Sequence, residues 1–177
     1  MSIWNKNPQM VKMLNRHYNL ELKAANLYVN FASIAKGLGY EYLSRFFYTM
    51  SKDKIENHLS RILDYFLKLD LELTISPESI PPVLEVKTIQ ELAKTALNAE
   101  SSIRNYIGQI ANYALEIKDH ETYQQIGWFV NDAIEDLGDI DDINTYINTP
   151  NANLLSIETA VRRKMKKEIE PLFDDKD

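Results

Sequence analysis

Along residues 8–36 apolar side chains recur every three or four positions, with Val11, Leu14, Tyr18, Ala25, Tyr28, Ala32 and Ala35 on one stripe. That period predicts an amphipathic helix, which Gly37 and Gly39 end. A second stripe over 40–68 carries Leu43, Phe47, Ile55, Ile62 and Tyr65 and predicts another helix. At about 1.5 Å per residue each spans roughly 40 Å, and so short a link between them forces an antiparallel pair. Residues 70–87 contain SPESIPP and no sustained stripe, so they form a long connection of the kind that crosses the length of a bundle. The most regular stripe, Ile89, Leu92, Ala96, Ile103, Ile107, Ile110, Ala114 and Ile117, predicts a third helix over 88–118. After KDHET, a fourth over 123–147 places Ile126, Phe129, Val130, Ala133, Ile140, Ile143 and Ile147 inward, and TPNAN ends it. A shorter fifth helix, 154–170, precedes Pro171 and an acidic tail.

Two helical pairs joined by a crossover, plus one extra helix, predict an all-α four-helix bundle with an appendage, formed as a single domain over 1–177. Composition agrees, because five glycines and six prolines in 177 residues are too few for the tight turns of an all-β fold. The net charge of -6 argues against a nucleic-acid partner and suits cations. The absence of cysteine excludes disulfides, thiolate zinc sites and thiol nucleophiles. The N-terminal stretch MSIWNKNPQM has no secretory pattern, and no segment approaches the ~20 apolar residues of a membrane span, so a cytoplasmic protein with no membrane partner is expected.

Candidate chemistry lies inside the stripes. Glu21 interrupts Leu14, Tyr18, Ala25 and Tyr28; Glu100 lies between Ala96 and Ile103; Asp136 lies between Ala133 and Ile140; His58 lies between Ile55 and Ile62. Any one of these has a bland explanation, a satisfied core histidine or an acid at the edge of its stripe reaching water. All four, one per main helix and each near mid-helix, are harder to explain so. A carboxylate in an apolar core costs several kcal/mol unless it is protonated, paired or bound to metal. Oxygen-rich ligands with one imidazole suit iron, manganese or zinc.

The stretches YNLELKAANLY around Glu21, HLSRILDY from His58, the Glu100 helix and GWFVNDAIED around Trp128 resemble the four helices of the bacterial non-haem ferritin family, and the resemblance extends over almost the whole chain. It implies a ferritin-like fold and a hollow shell of 24 identical subunits. It also implies oxidation of Fe(II) by oxygen or peroxide at intrasubunit di-iron centres, and storage of Fe(III) mineral, without haem. By the same resemblance Glu21, His58, Glu100 and Asp136 match metal ligands of the centre. The glutamate that bridges the two irons, three residues before the histidine, is replaced by Ile55, and a fourth-helix glutamine by Ala133. The implied function is therefore iron storage with an incomplete ferroxidase centre. The alternative is a shell protein with little ferroxidase activity, storing iron through inner-surface acids or beside an active partner subunit.

A third iron site of that family uses acids at positions matching Lys54, Asp132 and Glu135, and Lys54 there predicts an ion pair with one of those acids instead of a cation. Asp53 and Glu56 point elsewhere than Ile55 on a regular helix and are poor substitutes for the bridge. Tyr28 and Trp128 match aromatic neighbours of the family centre. The run RRKMKK at 162–167 reads as cations complementing a helix C-terminus. The family resemblance implies that Leu154, Leu155, Ile157, Val161 and Met165 lie between subunits, and that the polar loop of Asp119, His120 and Glu121 would line an entry channel in a shell.

Overall fold

The computed structural model describes residues 4–169. Its elements are α1 (Pro8–Gly37), α2 (Glu41–Asp53), a π-helical segment (Lys54–Leu59), α3 (Ser60–Lys68), α4 (Ile89–Glu116), α5 (His120–Asn148) and α6 (Leu154–Ile169). The α2, π and α3 segments run on without a break and together form the second long rod, so the fold is the expected all-α four-helix bundle with a crossover and a fifth helix. The last residue of the predicted fifth helix, Glu170, and the acidic tail lie outside the described residues.

Local chemistry explains the boundaries. Asn7 caps α1, accepting from the backbone N–H groups of Gln9 and Met10, with Pro8 at the first helical position. Gly39, at φ +91°, makes the left-handed turn between α1 and α2. Thr88 and Glu91 form a reciprocal capping box at the start of α4. Asp119 caps α5 through Thr122, while Lys6 binds Asp119 (2.5 Å) and Glu121 (2.8 Å). Two of the three residues of the expected entry loop thus hold down the N-terminal segment.

The core runs the length of the bundle, from Met10, Leu14 and Ile110 at one end through Phe129 to Phe31, Phe47 and Leu92. The crossover is tied to α1 by an asparagine ladder. Asn15 accepts from Thr74 N–H (2.7 Å), Asn19 accepts from Ser76 N–H (2.7 Å) and donates to Thr74 C=O (2.9 Å), and Asn26 donates to Ser79 C=O (3.0 Å). Backbone groups of a segment without its own ladder are satisfied in this way.

Two expectations change here. Val130, placed on the buried stripe, is 39% exposed. In α6, Ile157 and Val161 are buried against the chain's own bundle, and Glu158 accepts from Tyr42 N–H at 2.7 Å, capping the start of α2. Only Leu154 and Leu155 of that group are left exposed for a neighbour. The cationic run is likewise internal in part, since Lys164 pairs with Asp139 (2.6 Å) and Asp142 (2.9 Å) of α5. Among the described residues no helix is long and apolar enough to cross a bilayer.

Candidate metal centre

Each main helix contributes to one polar cluster at mid-bundle. Glu21 of α1, His58 of the π segment and Glu100 of α4 are each at most 2% exposed, and the Asp136 side chain of α5 is 13% exposed. The structure therefore brings together all four residues selected from the stripes. A fifth residue stands among them: Lys54, 1% exposed, extends its ammonium to Asp136 Oδ2 (2.7 Å), Glu21 Oε2 (3.3 Å) and Glu100 Oε1 (3.3 Å). Tyr28 donates its phenolic O–H to Glu100. His17, also buried, lies 3.1 Å from the other oxygen of Glu21.

This overturns the expected place of Ile55. Its side chain is 53% exposed, and Lys54 occupies the inward position. The cause is the π segment, in which the backbone hydrogen bond reaches the fifth residue back rather than the fourth. One extra residue is held in the turn below His58, so the position facing the cluster is four residues back, Lys54, and Ile55 rotates out to solvent. The expected partner of Lys54 changes too. It binds Asp136, Glu21 and Glu100 rather than Asp132 or Glu135. Ala133 is buried and offers no donor or acceptor from its side chain.

His58 faces two ways. Its Nδ1 is 3.2 Å from Glu21 Oε2, and its Nε2 is 2.8 Å from Asp132 Oδ2, 3.3 Å from Asp53 Oδ2 and 3.8 Å from Asp136 Oδ2. Trp128 and Phe129 pack edge-on against its ring, and Arg61 covers the outer face of Trp128. Sequence reasoning missed His17, although its spacing of four from Glu21 puts both on one helix face. It also set Asp53 aside, because an unbroken α-helix turns that residue away from the centre.

Charge balance explains the electrostatics. Burial opposes the charged form of Lys54, yet Glu100, Glu21 and Asp136 overcome it and hold the ammonium well above its usual range. Burial would likewise raise Glu21, but Lys54 and His58 keep it well below the usual carboxylate range. His58 loses from burial and gains more from Glu21, Asp132 and Asp53, reaching about 11. Three core acids then face two cations. The excess falls on Asp136, which burial and Glu100 push up to about 7 against the pull of Lys54.

These residues do not fit a pair of metal ions. The oxygens that would converge on metal already converge on an ammonium. Unit charges 4 Å apart repel by about 4 kcal/mol at an effective dielectric of 20, so a dication beside Lys54 would meet about twice that.

A pH dependence follows. In the fold His58 keeps its proton to about 11, against 6.5 for the free group. Its contribution to stability is thus complete below pH 6.5 and is lost as pH rises towards 11, whereas that of Glu21 is lost as pH falls below its ordinary value of 4.5. Between pH 7 and 9.5 the unfolding free energy is expected to fall by about 1.4 kcal/mol per pH unit for the one retained proton. Urea unfolding followed by tryptophan fluorescence measures this slope. His58→Gln should flatten it, and a flat wild-type profile would remove the imidazolium from the account.

Comparison with known proteins places the chain in a family. The ferritin-like domain family matches residues 11–149. The crystal structure of M. penetrans ferritin is similar at 41% identity with a TM-score of 0.90, covering 92% of this chain and 99% of that one. An uncharacterised protein of Ureaplasma parvum is 30% identical over 91% of this chain and 94% of its own length. Ferritin BfrB of Mycolicibacterium smegmatis is 26% identical over 82% of this chain and 79% of its own.

Proposed function

The chain belongs to the ferritin family, in which iron storage is the general function, and from that premise we propose that it is an iron-storing subunit without a paired-metal oxidation centre. It assembles with identical copies into a hollow cytoplasmic shell, of 24 subunits by family resemblance. Fe(II) and Fe(III) are its cargo and it carries no haem. The observation supporting this reading is the Lys54 ammonium, 2.7–3.3 Å from three of the four carboxylates and imidazole selected as ligands. Of the two readings left open by the sequence, this favours the shell protein with little ferroxidase activity. Glu21, His58, Glu100 and Asp136 then act as a charge-balanced polar core. Iron oxidised by dissolved oxygen is held by acids on the protein surface, whose hard carboxylate oxygens favour Fe(III).

Rapid mixing tests it. Metal-free protein given two Fe(II) per subunit without oxygen, then mixed with oxygenated buffer, is expected to show no fast phase above the buffer background. On slow loading in air, iron should co-elute with the assembled protein in size-exclusion chromatography. A fast phase consuming two irons per subunit through a transient colour would overturn the first half of the proposal. Iron that precipitates or elutes free would overturn the second.

A further inference from the structure

Beside the ammonium-filled core, His58, Asp53 and Asp132 present one ring nitrogen and two carboxylate oxygens that all lie within 4.8 Å of one another. We propose that these three residues form a mononuclear site for one divalent transition-metal ion, on the side of the bundle where the groove between α2 and α5 opens. The set takes His58 from the core ligands and Asp132 from the third-site acids that family resemblance implies, and joins them through Asp53, which belongs to neither.

The spacing of the three donors suits a single metal ion. Donors bound to one ion at about 2.0–2.2 Å lie roughly 3 Å apart, and His58 Nε2 stands 2.8 Å from Asp132 Oδ2 and 3.3 Å from Asp53 Oδ2. His58 is 2% exposed and faces its carboxylates as ion pairs without well-aligned hydrogen bonds, and Asp132 Oδ2 is buried in the same condition. A metal cation between the ring nitrogen and the carboxylates would satisfy both better than these poorly aligned pairs, taking the place of the proton between them.

The plugged core supports the site. A ligating histidine ordinarily has its second nitrogen fixed by a carboxylate, which orients the ring and raises its basicity. Here Glu21 Oε2 is 3.2 Å from His58 Nδ1, while His17 and Lys54 hold Glu21 in turn. With the core occupied by Lys54, Glu21 becomes an outer partner instead of a ligand. Asp136 Oδ2 is 2.7 Å from Lys54 and 3.8 Å from His58 Nε2, so a carboxylate stands beside both the ammonium and the ring and would screen a cation held by His58 from Lys54. On the outer side the Asp53 side chain is 40% exposed, leaving the remaining coordination positions to water. One nitrogen and two carboxylate oxygens with open positions match Zn(II), Mn(II), Fe(II) or Co(II) and exclude selection by soft sulfur ligands.

The inference concerns equilibrium binding of one ion and is independent of the storage proposal. Crystals of the assembled protein soaked in Co(II) should give one anomalous peak per subunit in contact with His58 Nε2, Asp53 and Asp132. Calorimetric titration with Co(II) should give one site per subunit, weakened at least tenfold in Asp132→Asn and in Asp53→Asn and unchanged in Asp141→Asn, an exposed acid elsewhere on α5. Both asparagine replacements keep side-chain shape at partly exposed positions, so the fold is retained. No peak at these atoms, or equal affinity in all the variants, would overturn the site. Iron loading that fails while Co(II) binds would overturn storage alone.

Discussion

Lys54→Met should lower the stability of the subunit by about 3–5 kcal/mol at pH 8, the usual cost of removing one partner from a buried ion pair. The side chain is 1% exposed and nearly isosteric with methionine, so little of the loss comes from packing. What remains is Glu21, Glu100 and Asp136 sharing a core with only His58 as a cation. The defect should shrink at pH 5, where the acids can take up protons instead, and should shrink again when Co(II) is added, because a dication can then enter where the ammonium stood. Urea midpoints at the two pH values, with and without Co(II), provide the measurement. A loss below about 1 kcal/mol at pH 8 would show that Lys54 does not balance the charge of the cluster.

Lys54→Glu should have the opposite functional consequence. It places a fourth carboxylate where the ammonium now meets three others, a set whose repulsion only bound cations can relieve. The metal-free variant should therefore be the least stable form of the protein and should recover on binding Fe(II), Zn(II) or Co(II). Its oxidation of Fe(II) on mixing with oxygen should exceed that of the parent at least tenfold. Ile55→Glu is the informative control. Because Ile55 is 53% exposed, a glutamate there faces solvent and should alter neither stability nor oxidation rate. If Ile55→Glu activates oxidation and Lys54→Glu does not, the π segment has been assigned the wrong register.

The two variants bear on one ambiguity. A residue one turn before His58 is either three or four positions back, so Ile55 and Lys54 both qualify on spacing alone. Hydrophobicity then favours the wrong one, since isoleucine belongs in a core and lysine at a surface. Nothing local to KIENHL announces a π turn. Its preference emerges only when α4 and α5 bring Glu100 and Asp136 into reach, because three buried acids make an inward ammonium cheaper than an inward isoleucine. The same long-range cause conceals Asp53, which joins His58 and Asp132 only across the groove between α2 and α5.

Other features needed no partner to be seen. The observed ends of α1, α4 and α5 lie within a few residues of the predicted ones. Glu21, Glu100, Asp136 and His58 were identifiable because each breaks an apolar stripe on its inward side. The asparagine ladder was not, since Asn15, Asn19 and Asn26 look like ordinary solvent-facing residues until the crossover lies against them.

By itself, then, the sequence determined the all-α bundle, its crossover and the polar residues that meet at its centre, because helical period and capping are properties of contiguous residues. Only the tertiary structure decided what stands at that centre. Whether Lys54 or Ile55 turns inward depends on the charge of side chains 33 to 82 positions away along the chain from Lys54, and that charge acts only after the helices have packed.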